Sequence, residues 1–438
     1  MSSRKENCYP IMHFAPDYGW LNDPNGLVYH DGIFELYYQS NPNGVEWDDM
    51  TWGHARSTDL IHWEELEPVL YPDENGMMYS GCGLRNDRGE LGLPKDALLF
   101  PYTAAGFDEG LSNPYFTIRL AYSTDGGASL IKRGDKLLQE MAPDNRDPKV
   151  FWHEESKAYV LVLWIEKNDF GIFRSENMQN FELSQRITLE GGFECPDLFE
   201  LPVIGDDGNV SEKRWVFWAA DGMYFVGDFD GYKFTPTQDK KKAYFITTLP
   251  YAAQTWSGDP KGRVIQIPWL RTKCVYNQTT STMGIPRELT LRKINGSYVI
   301  KHAIPEEITS RVQPVSELTK GESSYISKDS AIFLDLDNLS GSTVNLYASG
   351  ENDPFVTLKY NDRTGAIGIS DGKVTEFMFL GREHRDKATI IYDRGIIELT
   401  TGDDTILQMT DLPHLRSIEC NRISFESGEG NLKVGMIY

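Results

Sequence analysis

Short runs of apolar, aromatic and β-branched residues recur through the first three-quarters of the chain, each bounded by turn-forming residues. Residues 26–30 and 33–38 flank Asp31-Gly32. An Asp-Gly pair between two such runs predicts a hairpin, because both central residues of the tight turn need positive φ. Residues 150–152 with 159–164, 198–201 with 215–219, and 224–229 with 232–234 repeat the arrangement. No long amphipathic helix stands out among them, so this region reads as all-β. From about Ser316 the texture changes. Residues 331–336, 343–347, 355–360, 388–392, 396–400 and 421–425 are short strands at the spacing of a sandwich. The charged stretch 304–314, with Pro305 and Pro314, reads as the connector. The expected organisation is therefore a domain over 1–303, a linker over 304–315 and a β-sandwich over 316–438.

A weak internal repeat sharpens the first domain. Asp23-Pro24-Asn25-Gly26-Leu27-Val28, Asp147-Pro148-Lys149-Val150-Phe151 and Glu194-Cys195-Pro196-Asp197-Leu198-Phe199 each place a carboxylate, a nearby proline and then an apolar strand. Their spacing fits propeller blades of roughly 45–60 residues, two blades and then one, so about 300 residues hold five. Proline is tolerated at a strand start, where no ladder bond is lost. A carboxylate at the head of an innermost strand points into the mouth of the central channel.

Composition narrows the function. Lys plus Arg is 43 and Asp plus Glu is 65 in 438 residues, a formal charge of −22. Nucleic acid and anionic membranes both need a basic face, so neither is expected as a partner, and a small neutral or cationic substrate fits better. No apolar run approaches the roughly 18 residues needed to span a bilayer. No apolar h-region follows Arg4 and Lys5, so a start at Met1 implies a cytoplasmic protein, and secretion would require a trimmed leader. The four N-x-[ST] sequons, at Asn209, Asn277, Asn295 and Asn338, are then read as chance matches. Cys8, Cys82, Cys195, Cys274 and Cys420 are odd in number and widely spaced, which argues against a disulfide framework and a structural zinc site. No metal or cofactor is expected. All ten tryptophans lie at or before Trp269, and the rest of the chain has none. This is a second sign of a change of domain.

Asp23, Asp147 and Glu194 are the candidate catalytic groups. A lone Asp-Pro carries little weight, since Asp259-Pro260 and Asp353-Pro354 show no accompanying pattern and Asp is a common turn former. The joint pattern carries more. WLNDPNG (20–26), NRDPKVF (145–151) and FECPDLFEL (193–201) resemble the three acidic motifs of glycoside hydrolase family 32, the invertase, levanase and inulinase family. YYQSNP (37–42), WGHARSTDLIHW (52–63), YSGC (79–82), STDGG (123–127) and the segment 262–292 follow in that family's order. The resemblance covers roughly residues 13–292 and extends more weakly to IIYDRGIIEL (390–399). It implies a five-bladed β-propeller followed by a β-sandwich, and a carbohydrate substrate. It further implies Asp23 as nucleophile, Glu194 as acid/base and Asp147 as the stabiliser of the transition state. A retaining pair of this kind stands roughly 5–5.5 Å apart. The same resemblance implies substrate contacts from Asn22, Gln39, Trp47, Tyr79, Ser80, Arg146 and Trp256, with Cys195 shaping the surroundings of Glu194. Read without it, a Trp among strands is more often core than sugar platform.

Burial and neighbouring carboxylates are expected to raise the Glu194 pKa, and hydrogen-bond donors to hold Asp23 ionised. The expected activity is release of fructose from sucrose or a short fructo-oligosaccharide. Fructosyl transfer and an inactive carbohydrate-binding protein are the alternatives, and the sandwich leaves room for a homodimer. Two segments depart from the family pattern: residues 242–256 lack its acidic and glycine positions, and Cys82 ends the Ser80-Gly81-Cys82 triplet. Both bear on the leaving-group side of the pocket.

Overall fold

The computed structural model describes residues 9–106, 115–244, 248–273 and 278–438. Cys8, Cys274, Asn277 and part of the divergent 242–256 segment lie outside them. The regular secondary structure of the described residues is almost wholly β-strand, and the chain divides into two compact units. None of its helices is long and apolar enough to cross a membrane.

The first unit, residues 16–242 and 250–300, is a five-bladed β-propeller. The innermost strands of the blades are Gly19–His30, Met77–Gly81, Arg146–His153, Asp197–Ile204 and Pro250–Thr255. Each blade then meanders outward through antiparallel neighbours. The first hairpin forms as the Asp-Gly signal requires: His30 pairs with Ile33 across Asp31 (φ 47°) and Gly32 (φ 87°). The pairs Val150↔Leu161, Leu198↔Phe217 and Phe229↔Phe234 likewise join the runs read from the sequence.

Blade packing explains why Ala158–Glu166 reads as one continuous apolar run, AYVLVLWIE. Successive side chains of a strand point to opposite faces. Tyr159, Leu161 and Leu163 enter a core with Leu99, Leu120 and Phe173, while Val160, Val162 and Trp164 enter another with Leu198 and Phe217. Both faces of the blade are covered, so no polar alternation survives. The ring closes where Gly19 and Trp20 pair in parallel with Thr279 and Thr280, and where the Ser257 N–H donates to the Leu27 carbonyl and the Ser257 carbonyl accepts from the Tyr29 N–H. Three blades end their third strand in the same turn, a serine hydroxyl bonded two residues on: Ser57–Asp59 (3.2 Å), Ser123–Asp125 (2.6 Å) and Ser175–Asn177 (3.1 Å).

The second unit gathers residues 1–15, 243–249 and 301–438. It is a sandwich of two six-stranded antiparallel sheets over a single apolar core that includes Leu334, Leu346, Ile390, Leu399, Ile423 and Phe425. The six strands read from the sequence are present. So are Gln313–Leu318, Glu322–Tyr325, Ala366–Ser370, Thr375–Phe379, Leu407–Asp411 and Leu432–Ile437, whose polar or short runs gave a weaker signal. The stretch read as a linker contains a short helix, Glu306–Thr309, and the start of the strand Gln313–Leu318.

The N-terminal segment had been assigned to the first domain but joins the second unit through charge. Asp393, fully buried, accepts backbone N–H bonds from Ile11 (2.8 Å), Met12 (2.8 Å) and His13 (3.1 Å). The His13 ring bonds Asp393 at 2.8 Å and Glu398 at 3.1 Å. Burial alone pulls the imidazole pKa down, but hydrogen bonds and charge from the two acids outweigh it and carry it to about 9. Asp393 is held below the usual carboxylate range: burial pushes it up, but His13 and the backbone donors outweigh that.

The sign of the pH dependence follows. A raised imidazole pKa gives stability that is complete below its ordinary value of 6.5 and lost as pH rises through about 9. The depressed Asp393 gives stability present above its ordinary 3.8 and lost as pH falls. The thermal stability of the wild type is therefore expected to fall between pH 6.5 and 9. His13→Gln, which leaves buried carboxylates without a cation, should be about 3–5 kcal/mol less stable at pH 6 and should lack that alkaline step. An identical step in the variant would refute the assignment.

Candidate active site

Inner strands of a propeller converge, so residues at their heads from different blades meet. Asp23, Asp147, Glu194 and Tyr251 do so around a cavity of about 360 Å³, near the lower end for small-molecule sites. Asn22, Gln39, Trp47, Tyr79, Phe116, Asp144, Arg146 and Trp269 complete the wall.

Asp23 lies on the strand Gly19–His30, at a register shift between Leu21 and Pro24. One carboxylate oxygen accepts from Ser80 Oγ (2.5 Å) and Gln39 Nε2 (3.5 Å), and the other from Asn22 Nδ2 (3.1 Å). Asn22 is itself fixed by Gln39 Oε1 (3.0 Å) and by the Trp20 indole N–H (2.8 Å). These donors favour the charged form, but burial is the larger effect, assisted by the charge of Glu194, and the Asp23 pKa is raised. The expectation that hydrogen-bond donors hold Asp23 ionised is opposed by its burial.

Asp147 sits at φ 64°, where the ladder shifts register between Arg146 and Lys149. A bulge in this conformation re-aims its side chain. Its backbone N–H donates to Thr103 Oγ1 (3.0 Å), and its carboxylate accepts from the Cys195 N–H (3.0 Å). The Cys195 sulfur lies 3.4 Å from both Asp23 and Asp147, so the two carboxylates share one thiol. Burial and the charges of Glu194 and Asp23 push Asp147 up to about 7, against the opposing pull of Arg146.

Glu194 (φ 48°) and Cys195 (φ 38°) turn sharply before the strand Asp197–Ile204. One Glu194 oxygen is bonded by the Arg146 guanidinium and the other accepts from the Tyr251 hydroxyl (2.7 Å). Arg146 also stacks 4.1 Å over the Trp164 ring and donates to the Asp144 carbonyl (2.8 Å). Trp269 stands edge-on to both Trp20 and Tyr251, at 6.3 and 6.1 Å.

Most residues expected at the site are brought together. Asp23, Asp147, Glu194, Asn22, Gln39, Trp47, Tyr79 and Arg146 line the cavity, and Ser80 and Cys195 lie buried directly behind Asp23. Trp256 is a correction. It is 4% exposed, donates to the Glu35 carbonyl (2.8 Å) and packs between Phe34 and Trp63, so it supports the blade instead of the cavity. Sequence reading missed Tyr251, Trp269, Phe116 and Asp144. Tyr251 lay within a segment noted for its divergence, and Trp269 within GRVIQIPWL, but neither stretch marks which side chain turns inward.

Opposed carboxylates in an aromatic-walled cavity, at the mouth of a five-bladed propeller, make a site of the carbohydrate-processing class. The chain belongs to glycoside hydrolase family 32: residues 13–302 match the family described as "Glycosyl hydrolases family 32 N-terminal domain". It is 32% identical over 443 residues to a levanase of Bacillus subtilis (strain 168), covering 91% of this chain and 60% of the levanase. It is 33% identical over 353 residues to the extracellular exo-inulinase inuE of Aspergillus niger (strain ATCC MYA-4892 / CBS 513.88 / FGSC A1513), covering 68% and 65%. The chain thus spans about three-fifths of the length of the curated relatives it matches. The exo-inulinase is extracellular by name, whereas a cytoplasmic placement was the expectation for this chain. The fold is similar to that of a fructofuranosidase from Schwanniomyces occidentalis complexed with fructose, with a TM-score of 0.82, 23% identity and 100% of each chain covered.

The charges in the cavity make a prediction that needs no substrate. Glu194 raises the Asp147 pKa and Arg146 lowers it. In carboxyl ¹³C NMR titrations, Glu194→Gln should bring Asp147 below about 7 and Arg146→Met should take it higher. Shifts of the opposite sign would show that the three groups are not coupled as described.

Proposed function

We propose that this chain is a retaining β-fructofuranosidase that releases fructose from sucrose or short fructans. The observation that carries the reading is the convergence of Asp23, Asp147 and Glu194, from three different blades, on one cavity also lined by amides, aromatic rings, Asp144 and Arg146. Family membership and relatives named levanase and exo-inulinase support it.

In this reading the Asp23 carboxylate attacks the anomeric C2 of a fructofuranosyl unit. The bond from C2 to the leaving oxygen breaks as Glu194 gives that oxygen its proton. Water then attacks C2, Glu194 takes the proton from that water, and the bond to Asp23 breaks. Two inversions return the original configuration. Arg146 and Tyr251 hold one Glu194 oxygen each, which fixes the carboxyl group for both transfers. Asp147 accepts hydrogen bonds from sugar hydroxyls, and these tighten as positive charge develops on the ring. The Asn22–Gln39–Ser80 network orients Asp23, and Trp269 and Trp47 offer ring faces to the substrate.

Incubation with sucrose, a β-2,1 oligosaccharide and a β-2,6 oligosaccharide tests the reading. Free fructose is expected from at least one. New, longer oligosaccharides would instead indicate transfer, and binding without turnover would indicate a binding protein. Asp23→Ala should lower kcat by at least 10⁴-fold with its thermal midpoint kept; retained turnover would exclude the nucleophile role.

The raised Asp23 pKa has a kinetic consequence. Asp23 must be ionised to attack, so kcat/KM should fall on acidification at a pH above the ordinary 3.8 of an aspartate. The Ser80 hydroxyl favours the charged form, and a hydrogen bond to a charged group contributes about 1.5–3 kcal/mol. Ser80→Ala should therefore move the acid limb upward by about 1–2 pH units. An unmoved limb would mean that another group controls it.

A further inference from the structure

Beneath the three carboxylates lies a buried ion pair that the chemistry above does not use. Lys149 and Asp197 are 5% and 0% exposed, and their charged atoms are 3.1 Å apart. The Lys149 ammonium also donates to the Thr255 carbonyl (2.6 Å) and the Thr255 hydroxyl oxygen (2.9 Å), so all three of its protons are engaged. Asp197 accepts from the Thr255 N–H (3.0 Å) and hydroxyl (2.8 Å) on one oxygen and from the Leu198 N–H (2.9 Å) on the other.

The three residues sit on the innermost strands of the third, fourth and fifth blades, shortly after Asp147, Glu194 and Tyr251 respectively. Each of those chain segments reaches the cavity through a left-handed backbone that side chains other than glycine rarely adopt: Asp147 at φ 64°, Glu194 and Cys195 at 48° and 38°, and Ala252 at 48°. Two of the three turns coincide with a register shift, between Arg146 and Lys149 and between Tyr251 and Gln254. Such conformations persist only where surrounding contacts over-determine them. Thr103 Oγ1 holds one side of Asp147. The Lys149–Asp197–Thr255 cluster ties the strand ends on the other side, and ties all three to one another. A buried ion pair contributes little net stability for its desolvation, but it is exacting about geometry.

We propose that Lys149, Asp197 and Thr255 are positioning residues, which set the separation of Asp147, Glu194 and Tyr251 across the cavity. The inference rests on the catalytic roles proposed above for Asp147 and Glu194.

A merely structural role predicts that relieving the buried charges restores everything. Lys149→Met alone strands a carboxylate and should lower the thermal midpoint. Lys149→Met/Asp197→Asn removes both charges and keeps an acceptor oxygen for one of the two backbone N–H groups, so its midpoint should recover most of that loss. With the strand Arg146–His153 untied, its kcat for fructose release should stay about 100-fold low, since a displacement near 1 Å is enough for that, while KM changes less than about threefold. Its crystal structure should show the Asp147 and Glu194 carboxylates displaced by more than about 0.5 Å. Thr255→Val keeps the ion pair but loses both hydroxyl bonds; it should lower kcat about tenfold, and its midpoint by less than Lys149→Met does. A double variant with wild-type kcat, or with unmoved carboxylates, would overturn the proposal, as would a Thr255→Val of wild-type kcat. Wild type and Asp23→Ala are assayed alongside. Absence of fructose release by the wild type would count against the catalytic reading, and the displacement in the crystal structure would still decide the positioning role.

Discussion

The propeller cavity is organised around an imbalance of charge: the carboxylates of Asp23, Asp147 and Glu194 share one lining guanidinium, Arg146. Isolated buried carboxylates are heavily penalised, so each must be paired, protonated or surrounded by donors. Arg146 pairs with Glu194 and lies within reach of Asp147, its own charge stabilised over the Trp164 ring. Asp23 receives donors from three neutral side chains instead of a cation. Asp147, left with backbone and thiol contacts and a shared claim on Arg146, is pushed up to about 7. The different fates of three chemically similar acids therefore follow from which neighbours the blades bring to each.

Bringing those neighbours together requires the chain to bend out of regular strand geometry just where the blades begin. Left-handed residues at Asp147, Glu194, Cys195 and Ala252, and register shifts beside them, turn side chains from blade faces into the channel. The flat parts of the blades are ordinary by comparison, with two apolar faces against neighbouring blades. Regular packing thus carries the bulk of the fold and frees a few residues near the axis to adopt irregular conformations.

This division explains what could be read before the structure. The Asp31-Gly32 hairpin was legible because turn chemistry is local, and the blade strands because continuous apolar runs report burial on both faces. The three acids were legible because each recurs in the same local setting of carboxylate, proline and strand. Tyr251 and Trp269 were not, since their facing inward depends on a register shift and on ring closure between distant segments. Trp256 was misplaced because an indole in a strand looks the same whether it meets sugar or, as here, Phe34, Trp63 and the Glu35 carbonyl. The raised Asp23 pKa was also out of reach, because donors can be guessed from neighbouring residues but the degree of enclosure cannot.

The tie between His13 and the acids of the second unit has a consequence for how the chain is made. His13 and Asp393 are separated by 380 positions. At ribosomal rates of about 5–20 residues per second, the first segment waits roughly 20–80 s after its synthesis before its partner exists. Throughout that interval residues 9–15 must stay clear of the growing propeller. A fragment started near residue 304 would leave Asp393 and Glu398 buried without His13. The second unit is a domain in space but not one segment of the message: its pieces are translated on both sides of the propeller.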